Sequence, residues 1–173
     1  MFPRATFVLG GAASGKSAYA EDLVLRSGGA PVYIATAQAF DAEMTEKIAI
    51  HRDRRGPEWR TVEAPLDLPE AVAARKSGEA VLLDCLTLWL TNVLLADRDV
   101  PAEIDRLCDA LAGAPGPIVV VSNEVGAGIV PADALSRRFR AEQGQLNQRV
   151  AAQSDVVVAV MAGLPLALKG TLP

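Results

Sequence analysis

Cysteine is scarce in this 173-residue chain: Cys85 and Cys108 are the only two, far apart and each inside an apolar segment. That spacing fits reduced thiols in a cytoplasmic protein better than a disulfide framework. Aromatic residues make up only 5% of the chain, so no aromatic strip marks a stacking platform; Tyr33, Trp59, Trp89 and Phe139 are scattered and read as core or interface. Positive charge is not in excess. The formal net charge is -4, which argues against nucleic acid or an anionic membrane as partner. A long hydrophobic run is missing too. The most apolar stretch, Val81 to Ala96, is broken by Asp84, Thr87, Thr91 and Asn92 and is too short for a bilayer span. Nor does a basic, leader-like segment precede the first strand-like run, so the expectation is a soluble cytoplasmic protein. Histidine occurs once, as His51.

What is present is apolar: half the residues are hydrophobic, enough for one domain with its own core spanning residues 1–173. Short, near-continuous apolar runs predict strands at Ala5–Leu9, Pro31–Ala35, Ala80–Asp84, Pro117–Ser122 and Asp155–Met161. Continuous rather than alternating apolar character implies burial on both faces, as in a parallel sheet. Helical patterns lie between them, at Lys16–Arg26, Asp41–Arg55, Pro69–Lys76, Leu86–Ala96, Ala102–Leu111 and Ala132–Gln153. The alternation predicts an α/β protein with helices on both faces of a mostly parallel sheet, a three-layer sandwich.

The stretch Gly10-Gly11-Ala12-Ala13-Ser14-Gly15-Lys16-Ser17 follows the first strand and opens the first helix. It meets the G-x-x-x-x-G-K-[ST] pattern in the context its mechanism requires. Backbone N–H groups curl around phosphate, the helix N-terminus adds partial positive charge, Lys16 reaches the β- and γ-phosphates and Ser17 ligates Mg²⁺. The fold expected is therefore a P-loop NTPase sandwich of the RecA-like kind. Asp84 closes a hydrophobic strand, where an acid holding the magnesium shell belongs; a helix N-cap ahead of Leu86 is the other reading. The guanine-reading Asn-Lys-x-Asp of switch proteins is absent.

His51 shares a helical face with Met44 and Ile48, which suits a structural histidine. Yet Arg52, Arg54 and Arg55 crowd it. Neighbouring cations disfavour imidazolium, and a neutral ring can attack phosphorus to form a phosphoramidate. The same arginines would also suit a solvated helix end.

Taken in order, GGAASGKS, Tyr33-Ile-Ala-Thr-Ala-Gln38, Asp41-Ala-Glu-Met44, Ile50-His-Arg-Asp53, Trp59-Arg-Thr-Val-Glu63, Leu83-Asp-Cys-Leu-Thr87 and Ser122-Asn-Glu-Val-Gly-Ala-Gly-Ile-Val-Pro131 span nearly the whole chain. The series resembles the bifunctional adenosylcobinamide kinase / adenosylcobinamide-phosphate guanylyltransferase family of cobalamin biosynthesis. The resemblance implies ATP or GTP as phosphoryl donor to adenosylcobinamide. It further implies GTP as donor of GMP, through a guanylylated His51, to adenosylcobinamide phosphate. It implies nucleotide contacts at Ile34, Ala35, Thr36, Arg52, Asp53, Arg54, Arg55, Glu63 and Asp84, catalysis by Lys16 and His51, and a homo-oligomer, a trimer with sites between subunits. Glu63 taken alone reads as a solvated charge ahead of Pro65. Arg137, Arg138 and Arg140 read as a solvated helix face. Two other readings stand beside the resemblance: a P-loop small-molecule kinase with His51 structural, and a slow nucleotide-dependent regulatory module.

Overall fold

A computed structural model of the chain describes residues 2–38, 55–113 and 115–173. The expected helix at Asp41–Arg55, and with it His51, Arg52, Asp53 and Arg54, lies outside the described residues apart from Arg55 at its end.

Among the described residues twelve elements follow one another: β1 (Ala5–Gly10), α1 (Lys16–Arg26), β2 (Ala30–Ala35), β3 (Arg60–Glu63), α2 (Leu68–Ala73), β4 (Glu79–Asp84), α3 (Leu86–Leu95), α4 (Val100–Gly113), β5 (Ile118–Asn123), α5 (Ala134–Gln153), β6 (Val156–Met161) and β7 (Leu164–Lys169). The strands form one sheet in the order β3-β2-β4-β5-β1-β6-β7. Every pairing is parallel except β6 with β7.

The continuous apolar runs are explained by the two cores they separate. Phe7, Val81, Leu83 and Val120 face a layer built by α2, α3, α4 and α5, where Leu68, Trp89, Leu107 and Leu146 are buried. Their neighbours Val8, Leu82, Val119 and Val121 face α1, with Ala20, Leu23 and Val24. The central strands therefore carry apolar residues on both faces, and the alternation of a half-exposed sheet is lost.

Two strands escape the sequence reading. Arg60–Glu63 is a four-residue edge strand with mostly exposed positions, so it carries no apolar run. Leu164–Lys169 pairs antiparallel with β6 through a two-residue turn at Ala162 and Gly163, both with positive φ. Its Leu164, Leu166 and Leu168 are exposed. Helix bounds also move. α2 stops at Ala73 rather than Lys76, α4 runs longer than expected, and α5 begins at Ala134. Asp133 caps α5, its carboxylate accepting from the Ser136 amide at 2.7 Å.

Candidate active site

Because β1 to β6 are all parallel, their carboxyl ends share one edge, the place where such sheets seat ligands. The register fixes what stands there. Glu63 is paired with Ala35, Ala35 with Asp84, and Asn123 with Gly10.

The cradle runs from Gly10 to Ser17 between β1 and α1. A side chain at Gly10 would collide with Ser14 Oγ and lie 2.7 Å from the Val160 carbonyl oxygen. Gly15 has φ +93°, and a Cβ there would lie 3.1 Å from the Gly163 Cα, a combination that favours glycine. The Gly163 amide donates to the Ser14 carbonyl at 2.8 Å, so the β6–β7 turn buttresses the loop from behind. Lys16 is 9% exposed and its Nζ donates to the Gly11 carbonyl at 2.9 Å, which holds the ammonium within the loop. Ser17 follows in the first turn of α1.

Asp84 ends β4 two strands from the cradle. The N-cap of α3 is Cys85, not Asp84, so the helix-cap reading of Asp84 does not describe this turn. Tyr33 Oη donates toward Asp84 Oδ2 at a long 3.4 Å. Burial, with the Asp84 charge adding to it, pushes the Tyr33 phenol far above its ordinary value and keeps it a neutral donor. The Arg55 guanidinium lies over the Tyr33 ring, 3.4 Å from its centroid, and Trp59 meets the ring edge-on at 6.5 Å. Arg55 has a side chain only 6% exposed and stands 4.0 Å from Glu21. It is thus neither on a solvated helix end nor far from Asp84.

Thr36 was expected to touch nucleotide. Its side chain is fully buried and bonded twice to one residue: Oγ1 donates to the Cys85 carbonyl at 2.7 Å and accepts from the Cys85 amide at 2.9 Å. Asn92 Nδ2 donates to the Thr36 carbonyl at 2.8 Å and to Pro65 at 2.9 Å, tying together the chain beyond β2 and β3. Cys85 is buried as well, and burial followed by the Asp84 charge pushes its thiol up to about 11. Both cysteines are free, as expected. Glu63, at the end of β3, is exposed.

Sequence reasoning missed a polar lattice at the end of β5. Ser122 Oγ donates to Asn147 Oδ1 at 2.7 Å, Gln143 Nε2 donates to both, and Asn147 Nδ2 donates to the Asn123 carbonyl at 3.1 Å. The Asn123 amide donates to Thr87 Oγ1 at 2.9 Å. The signal was the pair Gln143 and Asn147, four apart on one helix face. Beyond it, the Glu124 carboxylate accepts from the Gly126 and Ala127 amides, folding the loop on itself, and Ile129 and Val130 stand exposed. Arg137 and Arg140 donate to carbonyls of this loop.

An open groove of about 490 Å³ between α5 and β7 is lined by groups such as Leu9, Ala151, Val157 and Leu168. It carries no carboxylate or imidazole, so chemistry, not size, assigns the site to the cradle edge. Among the described residues no group of three His, Cys, Asp or Glu side chains forms a metal cage, and no helix is long and apolar enough to cross a membrane.

Residues 6–168 match the family described as "Cobinamide kinase / cobinamide phosphate guanyltransferase". The chain is 49% identical to the bifunctional adenosylcobalamin biosynthesis protein CobP of Pseudomonas aeruginosa, over 94% of this chain and 96% of that protein. It is 40% identical to the bifunctional adenosylcobalamin biosynthesis protein CobU of Salmonella typhimurium, over 94% and 98%. Among solved structures, the RadB recombinase superposes with a TM-score of 0.54 at 18% identity, covering 91% of this chain and 74% of that one. An ATPase from a type III secretion system superposes at 0.52 and 12% identity, covering 95% of this chain and 56% of its own. These two likenesses show the RecA-like P-loop fold alone.

Proposed function

The chain belongs to the cobinamide kinase / cobinamide phosphate guanyltransferase family, and on that premise we propose that it carries out both reactions, in sequence, on adenosylcobinamide. The observation that supports this most is the placing of a Gly10–Ser17 cradle and an Asp84 carboxylate on one edge of a parallel sheet, with a single strand between them.

In the first reaction ATP or GTP lies with its β- and γ-phosphates among the amides of Gly11, Ala12, Ala13, Ser14 and Gly15. Lys16 neutralises charge as the γ-phosphoryl group leaves. The corrinoid's aminopropanol hydroxyl attacks the γ-phosphorus, and the bond to the β–γ bridging oxygen breaks. Ser17 and Asp84 would hold Mg²⁺. One hydroxyl and one carboxylate, with no all-protein cage, suit an ion that keeps waters and phosphate oxygens as its remaining ligands. Bound there, Mg²⁺ would offset phosphate charge.

In the second reaction a ring nitrogen of His51 attacks the α-phosphorus of GTP, and pyrophosphate leaves. A phosphate oxygen of adenosylcobinamide phosphate then attacks the same phosphorus and breaks the P–N bond, giving adenosylcobinamide-GDP. Ile34, Ala35, Thr36, Arg52, Asp53, Arg54, Arg55 and Glu63 are proposed as the nucleotide-binding set; Thr36, fully buried with its hydroxyl bonded to Cys85, serves there by fixing the strand end beside the nucleotide. One catalytic domain, acting in the cytoplasm without nucleic acid, completes the reading. The exposed leucines of β7 support a homo-oligomer, with a trimer as the proposed state.

The test is to incubate the protein with adenosylcobinamide, GTP and magnesium and to separate the corrinoids. Adenosylcobinamide phosphate followed by adenosylcobinamide-GDP is expected, with pyrophosphate released. Accumulation of the phosphate alone would leave a kinase without guanylyltransferase activity, and neither product would reject the proposal.

A further inference from the structure

The segment joining β5 to α5 leaves the sheet at the cradle. Asn123, the last residue of β5, is in register with Gly10, and the Glu124 amide donates to the Gly10 carbonyl at 3.2 Å. From there the chain runs Glu124-Val-Gly-Ala-Gly-Ile-Val-Pro131, a stretch to which neither reaction has so far given a part. The charged groups around it are engaged with its own backbone. The Glu124 carboxylate accepts from the Gly126 amide at 2.6 Å and from the Ala127 amide at 3.1 Å. Arg137 donates to the Pro131 and Ala132 carbonyls, and Arg140 to that of Gly126. Asp133 accepts from the Ser136 amide as the cap of α5.

What this loop offers to solvent is apolar. Ile129 is 97% exposed, Val130 63%, and Leu135, at the start of α5, 55%. Aliphatic side chains left in water contribute nothing to folding, since their stabilising effect comes from burial. A single exposed one is ordinary; three within seven residues, on a loop braced by its own charged groups, mark a surface that is covered in use. The bracing also lowers the ordering cost of binding there. The two kinds of substrate differ in their fit to such a surface. A nucleotide's phosphates would meet aliphatic carbon, because Arg137 and Arg140 are already directed at carbonyls. The corrinoid alcohol has a broad ring whose faces carry methyl groups, and its aminopropanol arm has to bring a hydroxyl to the γ-phosphate in the cradle. A loop rooted beside Gly10 and tipped with Ile129 and Val130 is placed to hold that ring.

Resting on the two-reaction reading above, we propose that Ile129 and Val130, with Leu135, are the docking surface for the corrin ring, and that they set the preference for a corrinoid alcohol over a small one. The ring's apolar face lies against these side chains, and its arm reaches from there to the cradle. The same docking serves both reactions, because the arm that receives the γ-phosphoryl group is the arm that later receives GMP. Guanylylation of His51 takes place without the corrinoid and is independent of the surface. Association through apolar area carries a negative heat-capacity change and depends little on ionic strength, unlike the binding of the nucleotide phosphates.

The experiment compares wild type with the double variant Ile129→Ser/Val130→Ser, the apolar exchange Ile129→Val/Val130→Ile, and Leu95→Ser, which removes a leucine of similar exposure at the end of α3. Four quantities are read: the KM for adenosylcobinamide, the KM for nucleotide, covalent labelling by α-labelled GTP without corrinoid, and the sedimentation coefficient. The double serine variant is expected to raise the KM for adenosylcobinamide about tenfold or more. Its nucleotide KM and labelling are expected within twofold of wild type, with sedimentation unchanged. The apolar exchange is expected to keep the corrinoid KM within threefold, and Leu95→Ser within twofold. Four results would overturn the proposal: a corrinoid KM within twofold of wild type in the double serine variant, a nucleotide KM or labelling that falls off in step with it, a comparable rise in Leu95→Ser, or altered sedimentation, which would make the loop a contact between copies. A wild type that does not phosphorylate adenosylcobinamide would instead overturn the kinase reading, and this inference with it.

Discussion

Two polar residues sit at strand ends on the same edge of the sheet and are treated in opposite ways. Thr36, just past β2, has its hydroxyl bonded in both directions to the Cys85 backbone and is shut off from solvent. Asn123, at the end of β5, has its main chain bonded in both directions and its side-chain oxygen bonded to nothing described. The first has its hydrogen-bonding capacity used within the edge; the second keeps a buried acceptor without a donor among the described residues. Polarity and position alone do not separate them, because both end a buried parallel strand. The distinction lies in where the hydrogen bonds go.

The comparison breaks if residues of the two kinds fail in the same way when altered. The largest effect is expected at Lys16, whose ammonium is held in the cradle. Lys16→Ala is expected to lower the rate of adenosylcobinamide phosphorylation about a thousandfold or more, while the melting temperature changes little. Steady-state kinetics beside a thermal melt would show it. A near wild-type rate would contradict the cradle's role.

Next comes a pH effect on stability at Cys85. Burial first, and the Asp84 charge second, raise this thiol to about 11 from an ordinary value near 9. The folded form therefore holds its proton more tightly than the unfolded chain. The stability this represents is present in full below pH 9 and is lost as pH rises towards 11, roughly 2–3 kcal/mol at the limit. The buried Tyr33 phenol, also raised, acts in the same direction. Melting temperature is expected to fall between pH 8.5 and 10.5, and to fall less steeply in Cys85→Ala. An unchanged slope in that variant would contradict the assignment.

The smallest effect sharpens the comparison most. Thr36→Val keeps the shape but leaves the buried Cys85 amide without its partner, while the Cys85 carbonyl keeps the Trp89 amide, a cost of about 1–3 kcal/mol. A melting temperature lower by roughly 3–10 °C is expected, with turnover at 25 °C reduced less than tenfold and Thr36→Ser restoring most of the stability. A large loss of turnover with unchanged stability would move Thr36 into the group that acts on ligand.

Much of this was legible in the sequence. The five buried strands announced themselves because a sheet covered on both faces needs apolar residues throughout, and the cradle because its glycines, lysine and serine have a spacing set by phosphate geometry. The two edge strands were not legible for the converse reason. Arg60–Glu63 has mostly exposed positions and Leu164–Lys169 packs only partly, so neither carries a buried run. At the site, the sequence pointed to Asp84 by its place at a strand end but left open whether it capped a helix; backbone geometry gives the cap to Cys85. Tyr33 and Arg55 are separated by 21 positions, and nothing in composition or periodicity stacks one on the other. The Ser122–Gln143–Asn147 lattice joins a strand to a helix across a loop, a contact that only the packing of α5 on the sheet creates.

The central claim is that one chain performs a direct phosphoryl transfer and a two-step guanylyl transfer through its single histidine. The most direct measurement is to incubate wild type and His51→Asn with α-labelled GTP and magnesium, then test the protein for acid-labile, alkali-stable label. Wild type is expected to carry the label and to pass it to adenosylcobinamide phosphate. The variant is expected to carry none and to make no adenosylcobinamide-GDP, while still phosphorylating adenosylcobinamide, because direct transfer in the cradle needs no imidazole. Label persisting on the variant would contradict the histidine assignment, and full guanylyl transfer by a folded variant without any adduct would contradict the two-step reaction itself.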